Sequence, residues 1–175
     1  MADRFLFIGD SLIEFFNWPE RFPDKEVFNY GIAGETAEGL LARLPNIIAR
    51  VQSPDLVMIM TGINNVAMED YGFLFTYEKI ITSLRETYGQ TAIVITSLLP
   101  LDLFFLGDAV LLVNKRLKDI AQINKIFFLD LYPLFLDANS RIIASYFESD
   151  RVHLSDEGYE VWAGALENTV FPSLD

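Results

Sequence analysis

The chain has 175 residues, 51% of them hydrophobic, with 15 Phe and no cysteine. That is enough apolar surface for one folded domain and too much for a disordered chain, and the missing thiols exclude disulfides, thiolate metal sites and a cysteine nucleophile. A formal net charge of -12 repels phosphate backbones and anionic membrane surfaces, and no run of Lys or Arg offsets it.

The first residues, Met1-Ala2-Asp3-Arg4, lead into an apolar run that ends at Ile8. A secretory signal needs a basic start, a longer apolar stretch and a small-residue cleavage site. None is legible here, and no apolar run approaches the length of a membrane span. A cytoplasmic protein without stable membrane insertion is therefore expected, and the oligomeric state is not legible. Phe5–Ile8 reads as the first strand and Val27–Tyr30 as a weaker second. Leu40, Leu41, Leu44, Ile47, Ile48 and Val51 then form an apolar stripe at helical spacing, and Pro45 within it is expected to kink or divide that helix.

Leu56–Met60 reads as a third strand, followed by a helix marked by Tyr77, Ile80, Ile81 and Leu84. Ala92–Thr96 is the fourth strand. Val110, Val113, Leu117 and Ile120 mark the next helix, and Ile126–Leu129 is the fifth strand. Ser155 is placed to cap a last helix, with Asp156 and Glu157 in its first turn and Tyr159, Trp162 and Leu166 on its buried face. The strand runs are nearly unbroken, as parallel strands covered on both faces require. Alternating strands and helices with no repeat or linker imply a single α/β domain over residues 1–175. The expected architecture is a three-layer α/β/α sandwich on a five-stranded parallel sheet in the flavodoxin-like order 2-1-3-4-5.

In such a sheet, ligands bind beyond the carboxyl ends of the strands. Gly9-Asp10-Ser11-Leu12 follows the first strand. A hydroxyl there sits at a helix N-terminus, where the dipole favours an alkoxide or oxyanion; the plainer alternative is that Ser11 only caps the helix. The chain's one histidine, His153, lies just before the last helix, three residues after Asp150. A serine needs a base, and a carboxylate at that spacing can orient the imidazole. After the second strand comes Asn29-Tyr30-Gly31-Ile32-Ala33-Gly34, and after the third Thr61-Gly62-Ile63-Asn64-Asn65. A glycine N–H and an asparagine amide there suit an oxyanion hole, although both segments also read as turns.

Four blocks in order resemble the GDSL family of SGNH hydrolases: Phe7 to Leu12, Asn29 to Thr36, Gly62-Ile63-Asn64, and Asp150-Arg151-Val152-His153. The resemblance implies Ser11, Asp150 and His153 as catalytic triad. It also implies an oxyanion hole made by the Ser11 and Gly34 amides and the Asn64 side chain, and hydrolysis of carboxylic esters through an acyl-enzyme. A small-molecule ester is the expected partner, with no nucleic acid, no cofactor and no metal. The family often carries Asp after the oxyanion Asn, where this chain has Asn65. Asp10 is expected to brace the turn below Ser11. Phe104 and Phe105, in the loop after the fourth strand, are candidates for an acyl pocket or lid, against the alternative of core packing. Phe15, Phe16 and Trp18 carry the same two readings.

A phosphoacceptor receiver module is excluded, because strand 3 ends in Thr61-Gly62 rather than an acidic residue. No Walker loop, dinucleotide fingerprint or Gly-x-Ser-x-Gly elbow is present. A catalytically inactive binding protein on the same fold is the remaining alternative, although all five site residues are intact.

Overall fold

The computed structural model describes residues 3–101 and 108–174. Five parallel strands form its sheet: β1 (Arg4–Gly9), β2 (Glu26–Gly31), β3 (Leu56–Met60), β4 (Ala92–Thr96) and β5 (Phe127–Leu129), in the order β2-β1-β3-β4-β5. The register aligns Gly9 of β1 with Gly31 of β2 on one side and Met60 of β3 on the other, so these three strands end level. Four longer helices cover the faces: α3 (Ala37–Arg50), α5 (Phe73–Tyr88), α6 (Ala109–Asn124) and α7 (Asp156–Thr169). Three short ones, α1 (Ser11–Glu14), α2 (Trp18–Arg21) and α4 (Ile63–Ala67), shape the loops. Among the described residues, no helix is long and apolar enough to cross a membrane.

Strand periodicity divides the core in two. In β1, Leu6 and Ile8 face one way, with Val57, Ile59, Ile93 and Ile95 of the neighbouring strands, onto Leu40 and Leu44 of α3, Ile80 and Leu84 of α5, and Leu117 of α6. Phe5 and Phe7 face the other way, with Leu56, Met58 and Met60, onto Trp18 of α2 and Trp162 of α7. Alternate side chains of one strand thus feed different layers, and both are apolar because both faces are covered. The second layer is held by aromatic edges: Trp18 meets Phe7 at 5.1 Å and Trp162 at 5.2 Å between ring centroids, in near-perpendicular arrangements. This packing fixes α7 against the sheet, and with it the loop that carries His153.

Pro45 does not divide its helix. α3 is one element from Ala37 to Arg50, capped by Thr36. Pro45 points to solvent, while Leu40, Leu44 and Ile47 are buried on either side of it. Packing of the apolar stripe on the sheet therefore outweighs the lost hydrogen bond. Replacing Pro45 with Ala is expected to raise stability by about 1–3 kcal/mol, the helix-propensity gain less a smaller loss of unfolded-state stiffness. Denaturant unfolding of the two proteins measures this, and an unchanged midpoint would mean the helix has already absorbed the proline without cost.

Candidate active site

Ser11 lies two residues past the end of β1 at Gly9. Asp10, not Ser11, caps α1: its Oδ1 accepts the Leu12 N–H at 3.1 Å, and Ser11 is the first helical residue. The reading of Ser11 as a mere cap therefore fails, since the capping role is filled one residue earlier and the Ser11 hydroxyl is left for another partner. That partner is His153, whose Nε2 lies 3.0 Å from Ser11 Oγ across 142 residues of sequence. On its other side His153 Nδ1 is 2.6 Å from Asp150 Oδ2.

The Asp150-x-x-His153 segment is built by its own backbone. Phe147 and Leu154 form an antiparallel bridge, and Glu148 N–H donates to the His153 carbonyl. Arg151 turns the chain in the left-handed region at φ 59. Asp150 Oδ1 accepts the N–H groups of Val152 and His153, both at 2.9 Å, leaving Oδ2 for the imidazole. The hydrogen bond to His153, helped by these two backbone donors, pushes the Asp150 carboxyl down to about 2. Phe15 lies against the imidazole with ring centroids 5.0 Å apart.

Gly34 and Asn64 follow the two strands that flank β1. Gly34 has φ +76, and a side chain there would meet open space, so the requirement is conformational rather than steric. Its segment is strapped to the neighbouring loop: Ile32 N–H donates to the Gly9 carbonyl at 2.9 Å and Ala33 N–H to Glu14 Oε2 at 2.5 Å. Asn64 is the second residue of α4, whose N-cap is Gly62 with φ +113. Its Nδ2 donates to the Glu35 carbonyl at 2.9 Å, which uses one of its two N–H bonds. Among the described residues, the backbone N–H groups of Ser11 and Gly34 have no acceptor. Three of the predicted residues, Ser11, Asp150 and His153, are in direct contact. Gly34 and Asn64 sit on the same edge, joined to each other through Glu35. Phe104 and Phe105 lie outside the described residues.

The three aromatics after Ser11 have different fates. Trp18 is fully buried, its Nε1 donating to the Ile13 carbonyl at 2.9 Å. Phe16 stacks on Tyr159 at 4.4 Å. Only Phe15, 56% exposed, is left beside His153. Asn29 of the glycine block also works structurally, donating from Nδ2 to the carbonyls of Ile13 in α1 and Phe16 just beyond it.

Two buried polar residues were less legible. Asp10 is wholly buried, and its second oxygen has no partner. Burial, opposed by the Leu12 bond and reinforced by Glu35, pushes its carboxyl up to about 7. Asn65, which occupies the position where Asp is frequent in the family, is buried as well. Its Oδ1 accepts the Ala37 N–H at 3.0 Å, and its Nδ2 donates to Glu38 at 2.8 Å and Asp70 at 2.9 Å. The amide is the counterpart to two carboxylates, so the departure from the family pattern is matched by its surroundings.

The GDSL-like lipase/acylhydrolase family profile matches residues 7–161. The chain belongs to that family. It is 28% identical over 178 residues to the human platelet-activating factor acetylhydrolase IB subunit alpha1, covering 97% of this chain and 76% of the relative. The bovine subunit is 26% identical, with 97% and 75% covered. Among solved structures, a GDSL-like lipase from Bacteroides thetaiotaomicron superposes with a TM-score of 0.81 at 23% identity, over 98% of this chain and 89% of the other. An acetyl xylan esterase variant from Geobacillus stearothermophilus superposes with a TM-score of 0.78 at 21% identity, over 97% and 95%. These two structures share the fold.

Two stability predictions follow from the buried polar groups. A carboxyl raised in the folded state binds its proton more tightly there than in the unfolded chain. Stability is therefore lost as pH rises from the unfolded value of 3.8 toward about 7. Asp10→Asn keeps the capping oxygen and does not titrate, so its stability relative to the natural protein should grow by a few kcal/mol over that interval. A gap that stays constant between pH 4 and 7.5 in urea melts would place the Asp10 carboxylate in a polar setting. Asn65→Asp puts a third carboxylate against Glu38 and Asp70 and should cost about 2–4 kcal/mol at pH 7 and much less at pH 4; calorimetry at the two pH values checks it.

Proposed function

We propose that the protein hydrolyses carboxylic esters, with Ser11 as nucleophile, His153 as general base and acid, and Asp150 as the group that orients the imidazole. The observation that carries this reading is the chain of contacts from Asp150 Oδ2 through the imidazole to Ser11 Oγ, at 2.6 and 3.0 Å. With Nδ1–H donated to Asp150, Nε2 keeps its lone pair for the Ser11 hydroxyl proton. As Oγ bonds to the ester carbonyl carbon, that proton passes to Nε2 and the carbonyl oxygen becomes an oxyanion. The Ser11 and Gly34 N–H groups, free of acceptors among the described residues, and the second N–H of Asn64 are its donors. The imidazolium then protonates the departing alkoxide, leaving an acyl-Ser11. Water, deprotonated by the same Nε2, releases the acid and restores the serine.

Family membership supports an acylhydrolase, and the relatives named above as an acetylhydrolase and an acetyl xylan esterase make acetyl esters the first substrates to try. An inactive binding protein is the competing reading, and a fluorophosphonate probe separates the two, because only an activated Ser11 forms the phosphonyl ester.

Hydrolysis of activated esters from acetyl to long-chain acyl, run beside acetylated sugars, tests the proposal. Ser11→Ala is expected to lose roughly 10⁴-fold in kcat. Activity should fall on acidification with uptake of one proton. Asp150 stays ionised through that fall, its carboxyl held down to about 2, so loss of the orienting carboxylate does not cause it. Turnover by Ser11→Ala close to that of the natural protein would reject Ser11 as nucleophile.

A further inference from the structure

Resting on that reading, we infer that Arg43 and Glu35 are positioning residues for the oxyanion hole, a bidentate ion pair that ties together the three loops bearing its donors. Glu35 follows Gly34 directly. Its carboxylate receives two parallel bonds from Arg43, Nε to Oε1 and Nη2 to Oε2, both at 2.6 Å. The pair is shielded, with Arg43 18% and Glu35 10% exposed at the side chain, where such a fork is more rigid than a surface pair. The same Nη2 reaches backbone oxygens near the ends of two neighbouring strands: the Tyr30 carbonyl of β2 at 2.7 Å and the Gly9 carbonyl of β1 at 3.4 Å, a weaker contact.

The third loop is joined through the main chain of Glu35, whose carbonyl accepts the Asn64 amide at 2.9 Å. One residue therefore links all three donors. Glu35 is bonded to Gly34, its carbonyl orients Asn64, and its carboxylate leads through Arg43 to the β1 end from which Ser11 projects. Space for this arrangement is reserved in α3, where a side-chain carbon at Gly39 would fall 2.8 Å from Glu35 Cγ. Arg43 itself is fixed by α3, whose buried Leu40 and Leu44 flank it. Neither charge touches the Ser11–His153 contact. The pair acts on where the N–H groups stand, which is felt when the oxyanion forms and not when substrate binds.

A double-mutant cycle with Asn64 tests this. Arg43→Met is expected to lower kcat roughly 10–100-fold with KM within about twofold, and Asn64→Ala roughly 10²–10³-fold. Because both act on one set of donors, the double variant should fall less than about threefold below Asn64→Ala alone. Arg21→Met, which removes a similar bidentate pair with Glu167 between α2 and α7, serves as the structural control. It should lower the unfolding midpoint and leave kcat in place. If Arg43→Met does not fold, Glu35→Gln enters the same cycle, since it keeps the carbonyl that holds Asn64 and loses the charge. Losses that multiply in an active protein, or a kcat for the Arg43 or Glu35 variant within twofold of the natural value, overturn the inference alone. A natural protein that cleaves no ester and takes no fluorophosphonate at Ser11 overturns the ester-hydrolase reading, and this inference with it.

Discussion

The contact between Ser11 Oγ and His153 Nε2 at 3.0 Å constrains most of the fold. It needs the end of β1 to lie beside a loop 142 residues later, and each layer contributes to that meeting. Burial of Phe5 and Phe7 against Trp18 and Trp162 seats α7 on the sheet face nearest α1. Ser155 caps α7 by accepting the Gly158 N–H and also donates to the Ser145 carbonyl at 2.7 Å, fixing the start of the helix to the preceding loop. The Asp150 carboxylate, satisfied by two backbone N–H groups, holds the imidazole from behind. A four-residue motif near each end of the chain thus becomes a site only through hydrophobic packing between them.

The opposite flank is organised by charge. Glu35, Arg43, Asn65, Glu38 and Asp70 lie in or beside the loops after β2 and β3, and their hydrogen bonds are those of paired or neutral partners. Asp10 is the exception, a carboxyl in the core with one oxygen unsatisfied. Its raised proton affinity keeps it largely neutral through mildly acidic pH and spares the buried turn a full charge. Rigidity below the nucleophile thereby comes at some cost in stability toward higher pH.

Much of this was legible in the sequence, for physical reasons. Continuous apolar runs mark β3 and β4, and the structure starts and ends both strands where the runs do. β2 reads weakly because it is an edge strand, half-buried along most of its length, so its pattern is mixed. The short helices α2 and α4, with four and five residues, cannot display a helical period. The meeting of Ser11, His153 and Asp150 was legible because the chain has one histidine, three residues after an aspartate, and a serine two residues past the first strand. A division at Pro45 does not occur because a local propensity is outweighed by tertiary packing. The pair of Arg43 and Glu35 leaves no local signature: one is on α3 and the other in the loop just before it, eight residues apart, beyond the three- and four-residue spacings of helical pairs.

The account stands or falls on the state of the single imidazole. Nitrogen-15 NMR of His153, recorded at a pH where the ring is neutral, reads that state directly. The contacts predict a proton on Nδ1, shared with Asp150, and an unprotonated Nε2 whose resonance shifts when Ser11 is replaced by Ala or capped by a phosphonate. A neutral ring protonated on Nε2, or resonances indifferent to both changes at Ser11, would contradict it.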